Sequence, residues 1–142
     1  MRITEPEVTR LAVTPRAEKL IEEAGRTCYL SFDKMDDTSE ANFIRRCIKN
    51  GHHSILEHAS ASFRVRGASR AFTHQLVRHR LASYTQQSQR YVRVEELDPV
   101  VPATIAGEER AAEAYGACMK AVQETYETLV GLGVPTEDAR FI

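Results

Sequence analysis

Two short segments alternate apolar and polar residues and therefore predict β-strands. Residues 7–14 (EVTRLAVT) alternate loosely, and residues 59–66 (ASASFRVR) alternate small or apolar side chains with polar ones. Because side chains two positions apart lie on the same face of a strand, each segment can bury one face. The pair predicts a small antiparallel sheet.

Apolar residues at helical spacing predict a first helix over residues 15–25. Pro15 suits the first turn, because the backbone N–H that it lacks would be unpaired there, and Gly25 is expected to end the helix. The apolar positions on its shared face are Ala17, Leu20, Ile21 and Ala24.

A second helix is predicted within residues 36–51. Thr38 or Ser39 should cap its start, and Asn50-Gly51 should stop it. The stretch that follows, residues 52–58 (HHSILEH), is short and irregular. The apolar face of the helix comprises Phe43, Ile44, Cys47 and Ile48.

The second half of the chain predicts two more helices. One follows Gly67 and covers residues 68–80, and the longer one covers residues 107–133, is rich in Ala and Glu, and stops at its final glycines. Residues 83–92 have no amphipathic pattern and predict a loop with an extended portion. The order of these elements predicts an α+β fold, with helices flanking the small sheet and a long helix in the C-terminal half.

The composition is typical of one globular domain, residues 1–142. Apolar residues make up 42% and charged residues 27%, and the net charge of −1 gives no overall field to attract nucleic acid or an acidic membrane. No apolar run approaches the roughly 18 residues of a membrane span, and the N-terminus lacks the apolar core of a signal peptide. Three widely spaced cysteines without a CxxC pair favour a reducing cytoplasm.

The charge is nevertheless distributed unevenly along the chain. Residues 58–94, called the arginine segment below, contain seven arginines and no Asp, Glu or Lys, which leaves 12 of the 19 basic residues to face all 20 acidic ones elsewhere. A guanidinium fork matches the oxygens of phosphate or carboxylate, which Lys meets only as a point charge. The segment therefore predicts an anion site. Its arginines are Arg64, Arg66, Arg70, Arg78, Arg80, Arg90 and Arg93.

Two structural explanations compete with an anion site. A helix dipole favours basic residues near the C-terminus by about 0.3–1 kcal/mol each, which would account for residues 78–80 (RHR) without a ligand. Acids from elsewhere could pair with the other arginines. On a regular helix His79 lies at the margin of the core with an arginine on either side, so two anionic groups or one large ligand could be held. The face in question comprises Ala68, Phe72, Gln75, Leu76 and His79.

The residues after RHR are uncharged and polar. If residues 86–91 are extended, Ser88 and Arg90 face the same way and can clamp a phosphate. The neighbouring glutamines both donate and accept hydrogen bonds, so they could bind the edge of a heterocycle. A solvated loop is the alternative for a stretch rich in Gln and Ser.

Three motifs resemble those of the flavin-dependent thymidylate synthases. Residues 78–88 (RHRLASYTQQS) match the RHR-x7-S signature, which continues as residues 89–91 (QRY). Residues 51–58 (GHHSILEH) resemble the family's Gly-His-x-Ser/Thr-x-x-Glu-His segment, and residues 139–142 (ARFI) resemble the start of its Ala-Arg-x-x-Leu-Pro element. The motifs occur in the family's order and nearly at its spacing, and the resemblance covers most of the chain.

The resemblance implies the methylation of dUMP to dTMP. Methylenetetrahydrofolate would give the one-carbon unit, and FAD reduced by NADPH would carry the hydride. The resemblance also implies a homotetramer with active sites between subunits. The positive segment fits a site that must hold the FAD pyrophosphate and the dUMP phosphate close together.

The resemblance assigns ligand contacts to the matching positions. Contacts with FAD are implied for His52, Ser54, Arg78, His79, Arg80 and Gln86. Contacts with dUMP are implied for Gln75, Arg78, Gln86, Gln87, Ser88, Gln89, Arg90 and Arg140. Arg140 would reach the dUMP phosphate from another subunit. Thr85-Gln86 stands where the family often has Asn-Glu, which removes a negative charge near flavin and nucleotide.

We expect the chain to be the N-terminal two-thirds or so of such an enzyme. Residues 135–138 (PTED) form a good helix start, with Thr136 as the cap and acids after it, but only four residues follow. The alternative is a short protein whose last turn docks on the core. The family's C-terminal motifs would lie beyond Ile142, so no catalytic residue is assigned.

A metal site is not predicted from the histidines near residue 52. In HExxH, two histidines four apart face one way on a helix, whereas His53 and His58 are five apart and His52 and His58 are six apart.

A nucleophile is not predicted either. Cys28, Cys47 and Cys118 all lie outside the arginine segment, where a lowered thiol pKa would be expected, and no Ser-His-Asp pattern supports Ser88. The function of a different class that remains open is an arginine-rich module that grips single-stranded nucleic acid through its arginines and aromatic rings.

Overall fold

The computed structural model describes residues 4–94 and 99–142. The chain forms two compact units, an N-terminal unit of Val8–Arg64 and a C-terminal unit of Met1–Glu7 with Val65–Ile142. Each unit is described by itself below.

A two-stranded antiparallel sheet joins the ends of the N-terminal unit. Strand β1 (Glu7–Val13) pairs with strand β2 (Ala61–Arg66). Beyond the strand ends, the Thr14 N–H donates to the Ser60 carbonyl at 2.9 Å and the Ser60 N–H donates to the Thr14 hydroxyl at 2.9 Å. Both strands predicted from the two-residue period are confirmed.

Gly67 ends β2 at a position that only glycine fits. Its φ is +61°, a left-handed conformation that favours glycine, and an added Cβ would lie 2.1 Å from the carbonyl oxygen of Glu5. The close approach of these two backbones sets the direction in which the chain leaves the sheet.

Helix α1 (Ala17–Thr27) differs from its prediction at both ends. Arg16 adopts a left-handed conformation (φ 47°), so the helix begins at Ala17 and Pro15 lies outside it. Gly25 does not end the helix: it is buried, and the ring of Phe43 occupies the space where a Cβ would stand. The glycine therefore serves packing rather than termination.

Helix α2 (Glu40–Lys49) has the predicted boundaries but not the predicted cap. Ser39 is the N-cap residue, yet its side chain makes no capping bond. Its hydroxyl instead donates to the two carboxylate oxygens of Glu22, at 2.9 and 2.8 Å. At the other end the helix stops at Asn50-Gly51 as predicted: Asn50 is the C-cap residue, and Gly51 follows it with a φ of +76°. Short 3-10 helices, Phe32–Lys34 and His53–His58, flank α2 in the sequence.

A buried ion pair lies at the centre of the N-terminal unit. Glu22 is fully buried and Arg26 is 5% exposed, and the guanidinium donates to Glu22 Oε1 through Nε at 2.9 Å and Nη2 at 2.6 Å. Arg26 also stacks on the Phe43 ring, 4.8 Å from its centroid. Together with Ser39, these contacts tie α1 to α2.

The C-terminal unit is mainly helical. It contains α3 (Arg70–Leu76), α4 (Ala103–Ala106), α5 (Glu109–Gly131) and α6 (Thr136–Ala139). The long predicted helix is confirmed as α5, and the Glu108 side chain caps it by accepting from the N–H groups of Arg110 and Ala111. Tyr126 is buried, and its hydroxyl accepts from the Val94 N–H at 3.2 Å.

The architecture is the predicted α+β fold, with a small antiparallel sheet, several helices and a long helix in the C-terminal half. No helix within the described ranges is both long and apolar enough to cross a bilayer.

Candidate functional site

The arginines of the arginine segment are almost all free of carboxylates. Across residues 4–94 and 99–142, only Arg90 among the seven lies within 4 Å of an acid, its Nε being 3.6 Å from Glu137 Oε1. The two side chains of that pair are 70% and 42% exposed, so solvent screens it and the pair is worth at most about 1 kcal/mol. Pairing with the acids of the described residues therefore does not explain the cluster.

Residues 78–80 do not lie on a helix face, contrary to the prediction. Helix α3 ends at Leu76, and the next turns tighten, with the Arg78 N–H donating to the Gln75 carbonyl at 3.2 Å and the His79 N–H to the Leu76 carbonyl at 3.1 Å. Such bonds, three residues apart, are common where an α-helix ends. His79 is exposed with both its neighbours rather than set at the margin of a core, so all three side chains can meet a ligand.

The start of α3 is fixed by a local cap. The Ser69 hydroxyl accepts from the Phe72 N–H at 3.1 Å, which satisfies one of the unpaired donors of the first turn. Farther along, the Tyr84 hydroxyl donates to the His79 carbonyl at 2.9 Å. This second bond closes the backbone loop that carries RHR.

The expected alternation of residues 86–91 is wrong. Residues 83–88 have no regular structure, and the chain turns at residues 89–91. The half-buried Ser88 directs its hydroxyl to its own backbone, accepting from the Arg90 N–H at 3.2 Å and the Tyr91 N–H at 3.4 Å. Serine favours such a local turn over a strand, so Ser88 and Arg90 are brought together by a turn instead of by the two-residue period.

Gln86 is held by an arginine from the start of α3. Arg70 Nη1 donates to Gln86 Oε1 at 2.7 Å. This bond uses the amide oxygen of Gln86, whereas the amide NH₂ group is a separate hydrogen-bond donor. Since Gln86 carries no charge, Arg70 keeps its full positive charge at this point.

Helix α6 contacts the turn that carries Arg90. The Thr136 hydroxyl donates to the Arg90 carbonyl at 2.8 Å, and Glu137 forms the ion pair with its guanidinium. Arg140 Nη2 donates to the Val92 carbonyl, while its buried Nε has no partner within the described part of the chain. The predicted capping role of Thr136 is wrong, because Pro135 is the N-cap residue and the threonine hydroxyl is bound to the turn.

The two predicted flavin contacts of the N-terminal unit lie at the start of a 3-10 helix. His52 is its N-cap residue and Ser54 is its second residue, and both are exposed. The neighbouring His53 Nε2 lies 3.4 Å from the Ile48 carbonyl. Among the described residues no three His, Cys, Asp or Glu side chains are grouped so as to hold a metal.

The structure gathers the site residues predicted in the C-terminal unit onto three adjacent stretches of chain. These stretches are the tightened end of α3, the loop after it, and α6. The residues on them are Gln75, Arg78, His79, Arg80, Gln86, Gln87, Ser88, Gln89, Arg90 and Arg140. Sequence reasoning missed Arg70 as the partner of Gln86 and Glu137 as the acid opposite Arg90, because no short-range pattern links residues 16 or 47 positions apart. It also missed the bond from Tyr84 to the His79 carbonyl, five positions away, because the helix predicted over residues 68–80 hid the loop that this bond closes.

The seven arginines of the arginine segment are all exposed, in a chain with an α+β fold. The family model described as thymidylate synthase complementing protein matches residues 10–142, and the chain belongs to this family. The resemblance stated from the three motifs is thus confirmed.

Two curated relatives support the same family assignment. A flavin-dependent thymidylate synthase of Geobacter sulfurreducens is 41% identical over 143 residues, covering 95% of this chain and 62% of the relative. One of Nitratidesulfovibrio vulgaris is 37% identical over 158 residues, covering 98% of this chain and 64% of the relative. The chain therefore spans somewhat less than two-thirds of their length.

A solved structure shares the fold. The UMP/dUMP methylase PolB of Streptomyces cacaoi, bound with 5-Br dUMP, superposes with a TM-score of 0.85 at 24% identity. The match covers 99% of this chain and 69% of that chain. At this identity the likeness supports the fold alone.

Proposed function

We propose that this chain is part of a flavin-dependent thymidylate synthase, which methylates dUMP to dTMP. Methylenetetrahydrofolate is the one-carbon donor and NADPH is the reductant in this proposal. Family membership and the names of the relatives support it. The observation that carries it is the arginine segment, where only Arg90 has a carboxylate within 4 Å among the described residues. Two phosphorylated ligands would supply the missing negative charge.

Bound FAD, once reduced, would supply the hydride that the transferred carbon needs to become a methyl group. The chain's own residues bind and orient. The exposed guanidinium groups at the end of α3 suit the FAD pyrophosphate, and the free NH₂ of Gln86 suits a carbonyl oxygen of a ring. We assign FAD contacts to His52, Ser54, Arg78, His79, Arg80 and Gln86.

The dUMP phosphate is assigned to the turn at Ser88. Arg90 Nε faces Glu137 at 3.6 Å, which is too long for a hydrogen bond, so the fork remains available to a phosphate. A dianionic phosphate would outcompete a single, solvent-screened carboxylate for this guanidinium. The complete set of proposed dUMP contacts is Gln75, Arg78, Gln86, Gln87, Ser88, Gln89, Arg90 and Arg140.

The test compares two arginine variants of the full-length protein. Arg90→Ala should weaken dUMP binding at least tenfold, because a charge-assisted contact is worth about 1.5–3 kcal/mol, and should leave flavin affinity nearly unchanged. Arg93→Ala is the matched control from the same segment, with no assigned contact. Flavin absorbance, titrated with and without dUMP, measures both affinities. Equal loss of both ligands in Arg90→Ala, or no loss of either, would refute the assignment.

We also propose that the protein is a cytoplasmic homotetramer with sites shared between subunits. Continuing the register set by Thr14 and Ser60 places Leu11 opposite Phe63 on one sheet face, yet these side chains are 54% and 57% exposed. Val13 and Val65 on the same face are 48% and 40% exposed. An apolar sheet face left open in one chain is a candidate for contact with another. Light scattering on the full-length protein tests this, and a monomer would rule out shared sites.

A further inference from the structure

A second positively charged surface lies in the N-terminal unit, and its residues precede the arginine segment in the sequence. It is a groove of about 1070 Å³ lined by Arg26 of α1, by the residues that follow α1, and by residues of α2, and all of its lining residues fall within Arg26–Asn50. None of the site residues proposed above lines it. Its charge therefore needs a separate explanation.

The groove has a net positive charge that its own residues do not neutralise. Four cations, Arg26, Lys34, Arg45 and Arg46, line it against a single carboxylate, Asp36. Arg26 is neutralised from behind by the buried Glu22. The remaining three cations have no carboxylate within 4 Å among the described residues.

The lone carboxylate is already engaged within its own loop. Asp36 Oδ1 accepts from the Thr38 N–H at 2.7 Å and from the Thr38 hydroxyl at 2.9 Å. The backbone N–H of Thr38 is the main reason that the pKa of Asp36 lies below its usual value of 3.8. Asp36 thus shapes the loop, and its one negative charge, which also interacts with Arg26, leaves the groove with a net positive charge.

The walls of the groove are held in place by contacts within the unit. Arg26 Nη2 donates to the Lys34 carbonyl at 3.1 Å, which fixes the loop on one side. On the other side, Arg45 Nη1 donates to Asn42 Oδ1 at 3.0 Å. Because residues three and four apart are neighbours on a helix, Asn42, Arg45 and Arg46 form one continuous polar wall. A preformed wall lowers the entropic cost of binding.

We propose that this groove is a second anion site, which binds a flexible ligand with at least two neighbouring phosphate or carboxylate groups. Arginine forks on one wall and the Lys34 ammonium on the other can each take one group. The existence of the site does not depend on the proposed function. Its natural occupant does: the phosphates of a dinucleotide reductant and the glutamate carboxylates of a folate share this chemistry.

The test titrates two probes into full-length protein at low salt by isothermal titration calorimetry. The probes are inorganic pyrophosphate and tri-γ-glutamate, which represent the two sources. Every variant is built on Arg78→Gln/Arg80→Gln, so that anion binding by the arginine segment is reduced in all of them. Binding of dUMP to the unmodified protein is measured in parallel, so failure of the proposed function is seen separately.

The decisive variant is Arg45→Gln/Arg46→Gln, which removes charge but keeps side-chain length. Roughly tenfold or greater weakening of pyrophosphate or tri-γ-glutamate would support the site, and the probe that responds identifies the source. Arg10→Gln, an exposed arginine of the same unit outside the groove, should have no effect. Unchanged affinity for both probes, or equal weakening by Arg10→Gln, would overturn the proposal.

Lys34→Gln, on the opposite wall, gives an independent variant if circular dichroism shows that the double variant misfolds.

Discussion

Gly25 and Gly116 offer a matched pair of helix positions at which the same substitution should have opposite effects. Replacing an exposed helical glycine by alanine normally stabilises a protein by about 1 kcal/mol, because alanine loses less backbone entropy. Gly116, within α5, has no atom within 4 Å of an added Cβ, so Gly116→Ala should show this gain.

At Gly25 the same gain is opposed by overpacking. An added Cβ would lie 2.7 Å from both Cε1 and Cζ of the Phe43 ring and 3.5 Å from Ile55 Cγ2. The ring cannot move freely, because the Arg26 guanidinium lies 4.8 Å from its centroid and is itself held by Glu22. Overpacking costs about 1–3 kcal/mol, and the displaced cation–π contact costs about 0.5–1 kcal/mol more. After the entropic gain of about 1 kcal/mol, we expect Gly25→Ala to destabilise by about 0.5–3 kcal/mol.

Urea denaturation followed by circular dichroism measures both variants against the unmodified protein. The two alanine variants should differ by about 1.5–4 kcal/mol in the free energy of unfolding, which is roughly 5–12 °C in melting temperature for a chain of this size. Adding Phe43→Leu to Gly25→Ala should recover part of the loss, since leucine leaves room for the methyl group. If Gly25→Ala is as stable as Gly116→Ala, the packing argument is refuted.

Three further predictions concern polar contacts. Ser39→Ala should cost about 1–3 kcal/mol in urea denaturation, because the buried Glu22 carboxylate loses a donor to both of its oxygens; a loss near zero would mean that the serine is incidental. Gln86→Glu should turn the 2.7 Å bond with Arg70 into an exposed ion pair, raising stability by about 0.2–1 kcal/mol at low salt and by nothing at molar salt; a gain that persists at high salt would contradict this. Since the pKa of Asp36 is lowered on folding by the N–H two residues later, its ionised form adds stability above the unfolded pKa that is lost as pH falls through the lowered one. The melting temperature of Asp36→Asn should therefore lie below that of the unmodified protein at neutral pH and converge with it in acid, and a difference independent of pH would rule out this linkage.

The periodic parts of the fold were predictable because their signals are local. Alternation in residues 7–14 and the helical spacing of α5 are each contained in the segment that folds. Gly25 could not be predicted, since the ring that demands it arrives from 18 residues later. Ser39 could not be predicted for the same reason, because its hydroxyl donates to the buried carboxylate of Glu22, 17 residues earlier, and does not cap α2.

The candidate site was predictable in composition but not in geometry. The absence of acids between residues 58 and 94 predicted that the arginines would lack carboxylate partners, and within residues 4–94 and 99–142 only Arg90 has one. The orientation of RHR was wrong, because helical spacing continues past Leu76 while the backbone bonds there tighten to three residues. The spacing of apolar side chains in residues 68–80 therefore did not predict that α3 ends at Leu76.

The exposed charge of the arginine segment would couple folding to metabolite supply if the segment binds phosphate as proposed. Its guanidinium groups carry like charges and, among the described residues, only Arg90 has a carboxylate within 4 Å, so a bound phosphate would offset part of their mutual repulsion. A ligand present at a hundred times its Kd raises the free energy of unfolding by about 2.7 kcal/mol. That is a large share of the roughly 5–15 kcal/mol by which a typical domain is stable. If the arginine segment binds nucleotide as proposed, the protein should be cleared faster by cellular proteases when nucleotide runs short, and its abundance should follow the nucleotide concentration.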